Sequence, residues 1–247
     1  MRVHPRDHDH DHDHDDDHRH DHEHHHQNDH AQPAHTVTIE QDLLAKNDQL
    51  AGVNRAWLDA RSITAVNLMS SPGSGKTTLL ERTIRELGSE VPVAVIEGDQ
   101  ETLLDADRIR ATGRPVVQIN TGSGCHLDAE MLARGIRTLD PAAGSILFVE
   151  NVGNLVCPSL FNLGEHRRVV VISVTEGDDK PMKYPHMFAS ADLVVINKVD
   201  LLPYVDFDLG QCAERARSLR PGVEVLALSA TTGKGLGEWQ AWLLSDR

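Results

Sequence analysis

A glycine-rich stretch at residues 69–80, MSSPGSGKTTLL, constrains the fold of this chain more than any other feature. It follows a short apolar run at 63–68 and precedes a helical pattern at 78–87. An apolar strand, a glycine loop and a helix, in that order, are typical of a phosphate-binding loop in a parallel sheet. The usual pattern has glycine six residues before its lysine, where this chain has Ser70.

The residue types of this loop suit the phosphates of a nucleotide. Gly73 and Gly75 let the backbone turn and bring N–H groups close to phosphate oxygens, where a Cβ would interfere. Lys76 is expected to place a positive charge at the β- and γ-phosphates, and Thr77 to place a hydroxyl on Mg²⁺. The N-terminus of the following helix adds a partial positive charge. The alternative is a glycine turn with a surface lysine.

The composition argues against several classes of protein. A formal net charge of −14 argues against a nucleic-acid partner, because binding the phosphate backbone needs positive charge. Three cysteines form no disulfide framework, so we expect a reducing, cytoplasmic environment. The sequence lacks the run of about 18 apolar residues that a membrane span needs and the apolar core of a signal peptide.

The first 35 residues are rich in histidine and aspartate, and we expect a disordered tail there. They hold 13 of the 16 histidines, in runs such as HDHDHDHDDDHRHDHEHHH, with almost nothing apolar to bury. Imidazole suits nickel, copper and zinc, so we interpret the tail as a metal reservoir. A solvated polar tail is the alternative.

The remainder of the chain alternates short apolar runs with helical patterns. Leucines and other apolar residues at helical spacing predict a helix over 41–60, which would pack on the domain or on a partner subunit. About seven runs that are apolar on both faces predict an α/β fold with a mostly parallel seven-stranded sheet and helices on both faces. We therefore expect a tail at 1–35, a helical segment at 36–61 and a P-loop domain at 62–247.

Acidic residues end two of the predicted strands, where α/β sheets bind ligands. Asp99 follows the run at 91–96 and is expected to reach Mg²⁺ or to order the attacking water; an acid at a helix entry is the alternative. Glu150 ends the run SILFVE. This run and the residues after it resemble the second magnesium-associated motif of phosphate-loop nucleotidases, with Glu150 at the acidic position. Just beyond it, Gly153 could present its N–H to the γ-phosphate.

Another predicted strand, at 192–196, is followed directly by the sequence NKVD. This motif predicts guanine recognition. The Asp200 carboxylate can accept from the N1–H and exocyclic amine of guanine, a donor pair that adenine lacks. Asn197 can bond the base edge and its own loop, and the stem of Lys198 can lie on the ring face. Near the last strand, a backbone N–H of Ser229 or Ala230 could meet the guanine carbonyl.

Two cysteines and a histidine form a candidate metal site. Cys125 and His126 follow two glycines at a strand end, and Cys157 lies seven residues beyond Glu150. Two sulfurs and one imidazole suit zinc or nickel. Three ligands leave a position for water or for a second copy of the chain. Since lone cysteines are usually buried apolar residues, that alternative stays open from spacing alone.

Seven segments in order along residues 62–240 resemble the hydrogenase nickel-incorporation GTPases HypB, metallochaperones of the SIMIBI class. They read SSPGSGKTTLLERT, EGDQETLLDADRI, TGSGCHLDA, FVENVGNLVCP, VTEGDDKPMKYP, ADLVVINKVDLL and LSATTGKGL. The related urease accessory GTPases fit less well, because their metal motif is Cys-Pro-His. Zinc-chaperone and cobalamin-pathway GTPases with a Cys-x-Cys-Cys motif fit worse.

The resemblance implies GTP hydrolysis coupled to nickel delivery into [NiFe]-hydrogenase. It implies a homodimer that depends on GTP and metal, a HypA-type nickel chaperone as partner, and a hydrogenase large-subunit precursor as recipient. The family's interface ligands, for Ni²⁺ or Zn²⁺, fall on Cys125, His126 and Cys157. Its nucleotide residues fall on Gly73, Ser74, Gly75, Lys76, Thr77, Thr78, Asn197, Lys198 and Asp200.

Some family members carry a cysteine-rich nickel motif near the N-terminus, and this chain has no cysteine before Cys125. The histidine tail resembles the variant with a storage role. Nickel storage or buffering as the main function is therefore the alternative to delivery.

Overall fold

The computed structural model describes residues 33–99, 104–122 and 124–245. The histidine tail up to residue 32 lies outside these residues, so its disorder and metal binding stay predictions. Within the described part, no helix is both long and apolar enough to cross a membrane.

In the described part of the chain, seven strands form a single sheet in which every neighbouring pair is parallel. The spatial order is β3-β2-β4-β1-β5-β6-β7. This confirms the predicted α/β fold, and the sheet is parallel throughout rather than mostly parallel. The strands are β1 Thr64–Ser70, β2 Val93–Asp99, β3 Val116–Asn120, β4 Ile146–Gly153, β5 Arg167–Ser173, β6 Leu193–Asn197 and β7 Glu224–Ala227.

Among the described residues there are eight α-helices, and seven of them pack with the sheet, which is covered on both faces as buried parallel strands require. Apolar side chains of α2, α3 and α8 pack with one face, and those of α1, α4, α6 and α7 pack with the other. The α-helices are α1 Pro33–Asp59, α2 Lys76–Leu87, α3 Leu104–Arg110, α4 Ala129–Leu139, α5 Lys180–Lys183, α6 Pro185–Ala189, α7 Leu209–Leu219 and α8 Leu236–Leu244. Two short 3-10 helices lie at Cys157–Ser159 and Val199–Tyr204.

The N-terminal helix α1 packs on the domain of its own chain. Asn54, nearly inaccessible to solvent, donates to the carbonyl oxygens of Ala129 and Leu163 at 2.8 and 2.9 Å. A Cβ on Gly164 would lie 2.4 Å from the Ala51 carbonyl oxygen, so only glycine lets the helix approach this closely. The helix starts at Pro33, which lies before the expected end of the tail at residue 35.

The charged segment at 176–185 contains the short helix α5 and leads directly into α6. Pro181 and Pro185 each lie in a first helical turn, where proline loses no intrahelical hydrogen bond. Proline is therefore compatible with the beginning of both helices.

The strand order brings the carboxyl ends of β2, β4, β1 and β6 to one edge of the sheet. The glycine loop follows β1, with β4 as its direct neighbour on one side. β2 lies beyond β4, with Glu97 in register with Glu150. The acidic and glycine-rich segments that the sequence singled out are thus adjacent.

Candidate functional site

The glycine loop folds as a phosphate-binding loop. Gly73 and Gly75 have φ values of 72° and 94°, in the left-handed region that favours glycine. A Cβ on Gly75 would lie 2.6 Å from Asn197 Nδ2, so this position has no room for a side chain. The loop borders a cavity of about 340 Å³ lined by residues 73–78 together with Asp105, Arg108 and Lys198.

Asn197 joins the phosphate loop to the two loops that follow β6 and β7. Its Nδ2 donates to the Ser74 carbonyl oxygen at 2.9 Å, and its Oδ1 accepts from the backbone N–H of Lys198 at 2.8 Å and of Ala230 at 3.1 Å. Lys198 Nζ donates to the Gly73 carbonyl oxygen at 2.6 Å. Asp200 is exposed at the beginning of the adjoining 3-10 helix. The predicted base-reading residues therefore border the phosphate cavity.

Ser229 and Ala230 lie just beyond the end of β7. The Ser229 N–H donates to the Lys234 carbonyl oxygen at 2.9 Å, and the Ala230 N–H donates to Asn197 Oδ1. Ala230 thereby holds the Asn197 side chain, and contact of either N–H with a base carbonyl stays a prediction.

Thr77 and Glu150 meet beneath the loop. Thr77 Oγ1 donates to Glu150 Oε1 at 2.6 Å, and Lys76 Nζ lies 3.9 Å from the same oxygen. Burial raises the pKa of Glu150, while the Lys76 charge and the Thr77 hydrogen bond oppose the rise. Glu150 Oε2 is buried without a hydrogen-bond partner among the described residues. A hydroxyl and a spare carboxylate oxygen fit a hard cation such as Mg²⁺.

Two further acids lie on β2. Asp99 ends the strand, half-buried, and its carbonyl oxygen accepts from the Thr121 N–H at 3.0 Å. Glu97 is 2% exposed and lies opposite Glu150 in the strand register. Burial, followed by the nearby charges of Glu150 and Asp99, raises the pKa of Glu97 to about 8. Sequence reasoning singled out Glu150 but missed Glu97; the available signal was an acid directly following an apolar run.

In the nucleotide-free protein, Glu97→Gln is expected to increase the free energy of unfolding near pH 8 by about 4 kcal/mol. The folded pKa of about 8 lies above the ordinary 4.5. The folded protein therefore holds a proton that the unfolded chain releases between those pH values. Stability falls as the pH rises through that window, and a neutral glutamine removes the loss.

Urea unfolding across pH 4 to 8.5 measures this effect, with the exposed Glu90→Gln as control. The difference in the free energy of unfolding between Glu97→Gln and the wild type should grow with pH and vanish near pH 4. An advantage that stays the same at every pH would contradict the assignment of the raised pKa to Glu97.

The two cysteines and the histidine singled out in the sequence meet in the structure. One ligand atom each of Cys125, His126 and Cys157 lies within 4.8 Å of the other two. Cys125 Sγ is 3.6 Å from His126 Nδ1, and the His126 ring stacks on Phe161 with centroids 3.9 Å apart. All three ligand residues are half-buried. Two sulfurs and one imidazole at these separations fit a borderline-soft cation such as nickel or zinc.

The protonation of the cluster follows from its packing. A hydrogen bond with Cys157, followed by burial, raises the pKa of the Cys125 thiol. Burial lowers the pKa of His126, which keeps the imidazole neutral and able to bind a metal. Cys125 must therefore lose its proton when a metal binds, so metal affinity depends on pH.

The sequence is similar to a known protein family and to individual members of it. The sequence profile of the family described as CobW/HypB/UreG, nucleotide-binding domain, matches residues 64–227. Hydrogenase maturation factor HypB from Azotobacter vinelandii is 58% identical over 209 residues, covering 85% of this chain and 69% of that protein. Its counterpart from Escherichia coli K12 is 56% identical over 209 residues, covering 85% and 72%.

A solved structure is also similar. HypB from Helicobacter pylori in complex with nickel superposes with a TM-score of 0.77 at 40% identity, covering 81% of this chain and 94% of that chain. The parallel-sheet fold described above is therefore shared with an experimentally determined structure of a nickel-bound protein.

Proposed function

This chain belongs to the CobW/HypB/UreG family and, within it, to the hydrogenase maturation factors HypB, and we propose that it is a GTP-hydrolysing nickel chaperone. It would deliver nickel during [NiFe]-hydrogenase maturation. One observation carries this proposal: Cys157 lies on the segment that continues β4, the strand beside the phosphate loop, and forms a three-ligand cluster with Cys125 and His126.

The nucleotide is GTP in this proposal. Asp200 pairs with the guanine edge, while Asn197 and Lys198 hold the base loop against the phosphate loop. Loop N–H groups and Lys76 stabilise the charge on the transferring phosphoryl group, and Thr77 and Glu150 hold Mg²⁺. Asp99 orders the attacking water. The described residues that line the phosphate cavity include neither histidine nor glutamine, so turnover is expected to be slow.

The nickel cargo binds at Cys125, His126 and Cys157, where zinc is the competing ion. Three ligands suit a carrier, because the vacant position lets a second copy of the chain complete the site and a partner withdraw the ion. The proposed partners are a HypA-type nickel chaperone and a hydrogenase large-subunit precursor in the cytoplasm. The tail stores nickel and raises its local concentration.

Nickel storage as the main function is the second candidate, favoured by the density of histidines in the tail. Deletion of residues 1–32, which leaves α1 intact, distinguishes storage from delivery. The experiment uses cells whose own gene for this protein has been removed. We expect hydrogenase maturation to persist in ample nickel and to decline when nickel is scarce. Full-length Lys76→Ala should fail at both nickel levels, because delivery needs the nucleotide. Normal maturation by Lys76→Ala would contradict nucleotide-driven delivery.

A further inference from the structure

Asn154 follows directly on β4, and its side-chain amide contacts the segment that carries Cys157. Asn154 Nδ2 donates to Cys157 Sγ at 3.5 Å, and Oδ1 accepts from the Val156 N–H at 2.7 Å. The bond from Val156 orients the amide so that its nitrogen, rather than its oxygen, faces the sulfur. Donors to metal-ligand atoms orient those ligands and tune the affinity of the site.

The residue before it touches the phosphate loop. A Cβ on Gly153 would lie 3.2 Å from the Cα and 3.3 Å from the N of Pro72, so the two backbones are in close contact. Gly153 also pairs with Ser70 where the register between β1 and β4 shifts. A displacement of the phosphate loop therefore reaches Gly153 first and Asn154 next.

The other two metal ligands are anchored elsewhere. The N–H of Leu127, the residue after His126, donates to Asn151 Oδ1 at 3.1 Å. Asn151 is 1% exposed and directly follows Glu150, the last residue at which β4 is paired on both sides. Its Nδ2 also donates to Asn67 Oδ1 on β1 at 3.4 Å. Cys125 and His126 are thus connected to a buried position of β4, whereas Cys157 is connected through Asn154 to the end of the strand. Movement of that end changes the position of one sulfur relative to the other two ligands.

We propose that Asn154 is the positioning residue that couples the nucleotide state to the metal site, by transmitting displacement of Gly153 to Cys157 Sγ. The inference rests on the proposed function, since it presumes that nickel binds at the cluster. It adds a residue outside both the phosphate cavity and the ligand set. Its role is to make the position of Cys157 depend on the terminal phosphate.

Asn154→Ser tests this role. A serine hydroxyl can still accept from the Val156 N–H as a short turn, but it is too short to reach the sulfur. Ser159→Ala is the matched control, because it removes a hydrogen bond to the Val156 carbonyl oxygen in the same turn without touching a ligand atom. GDP affinity verifies that each variant is folded.

The readout is thiolate-to-nickel charge-transfer absorption of the full-length protein, because histidine and aspartate in the tail do not produce it. Apparent nickel affinity is measured with GDP and with a non-hydrolysable GTP analogue, both with Mg²⁺. Asn154→Ser should weaken nickel binding about tenfold and bring the affinities in the two nucleotide states together. Ser159→Ala should keep the wild-type ratio.

Two different results would overturn the inference, and each identifies which part of it is wrong. A wild-type difference between nucleotide states that persists in Asn154→Ser would overturn the role of Asn154 alone. Equal nickel affinities in the wild type would overturn the coupling in the proposed function and this inference with it.

Discussion

Asp200→Asn is expected to lower the affinity for GTP on the order of 10⁴-fold, the largest effect of a single substitution in this account. An asparagine amide can accept only one hydrogen bond toward the guanine edge and turns an N–H₂ group against the donors of the base. A buried donor without an acceptor is costly. Asp200 is exposed, so the fold should not depend on it.

The Asp200→Asn variant is expected to gain affinity for xanthosine triphosphate. Its base has a carbonyl where guanine has the exocyclic amine, and an asparagine N–H₂ can donate to that oxygen. The variant should therefore bind xanthosine triphosphate more tightly than GTP, as measured by displacement of a fluorescent nucleotide. Asp206→Asn, a few residues further along, is the control and should leave the preference for guanine in place. If Asp200→Asn keeps that preference, Asp200 does not contact the base.

Cys157→Ser has the second largest expected effect on binding, a loss of nickel affinity at the cluster of more than about 100-fold. A hydroxyl stays protonated at neutral pH and is a poor ligand for a borderline-soft ion. Cys157 does not line the phosphate cavity, so the affinity for GDP should change little. Nickel titration followed by charge-transfer absorption measures the loss.

The buried Cys212 offers the control for that experiment. It lies on α7 in the apolar core, and burial raises the pKa of its thiol to about 12. Cys212→Ala should therefore leave nickel binding at the cluster intact. If Cys157→Ser bound nickel as the wild type does, the cluster would not be the site of the bound ion.

The parts of the site that lie within one short stretch of sequence were predictable. The phosphate loop and the NKVD motif each place their functional groups through local backbone geometry, so their residues lie where we expected. The strand ends also followed from apolar runs, because a parallel sheet buries both faces. The sequence could therefore predict the edge of the sheet at which the site lies.

Features that depend on packing between distant segments were not predictable. Spacing suggested that Cys125 and Cys157 could share a metal, but their closeness depends on how two loops pack. The apolar run at 91–96 stops just before Glu97, whereas β2 continues to Asp99 and the register with Glu150 buries Glu97. Asn154 lies within the segment FVENVGNLVCP, but its residue type did not mark it, since its proposed role depends on the atoms that its amide contacts.

The central claim is that one segment, residues 150–157, contacts the phosphate loop at one end and carries a metal ligand at the other. If binding of the terminal phosphate displaces this segment, metal affinity must depend on the nucleotide. By linkage, the metal must alter the affinity for GTP by the same factor. A metal site that is indifferent to the nucleotide could store nickel but could not release it on hydrolysis.

Nickel titration of the wild-type protein with GDP and with a non-hydrolysable GTP analogue tests this claim most directly. We predict apparent affinities that differ about tenfold between the two states, with a matching effect of nickel on the affinity for the analogue. Equal nickel affinities in both states would contradict the account.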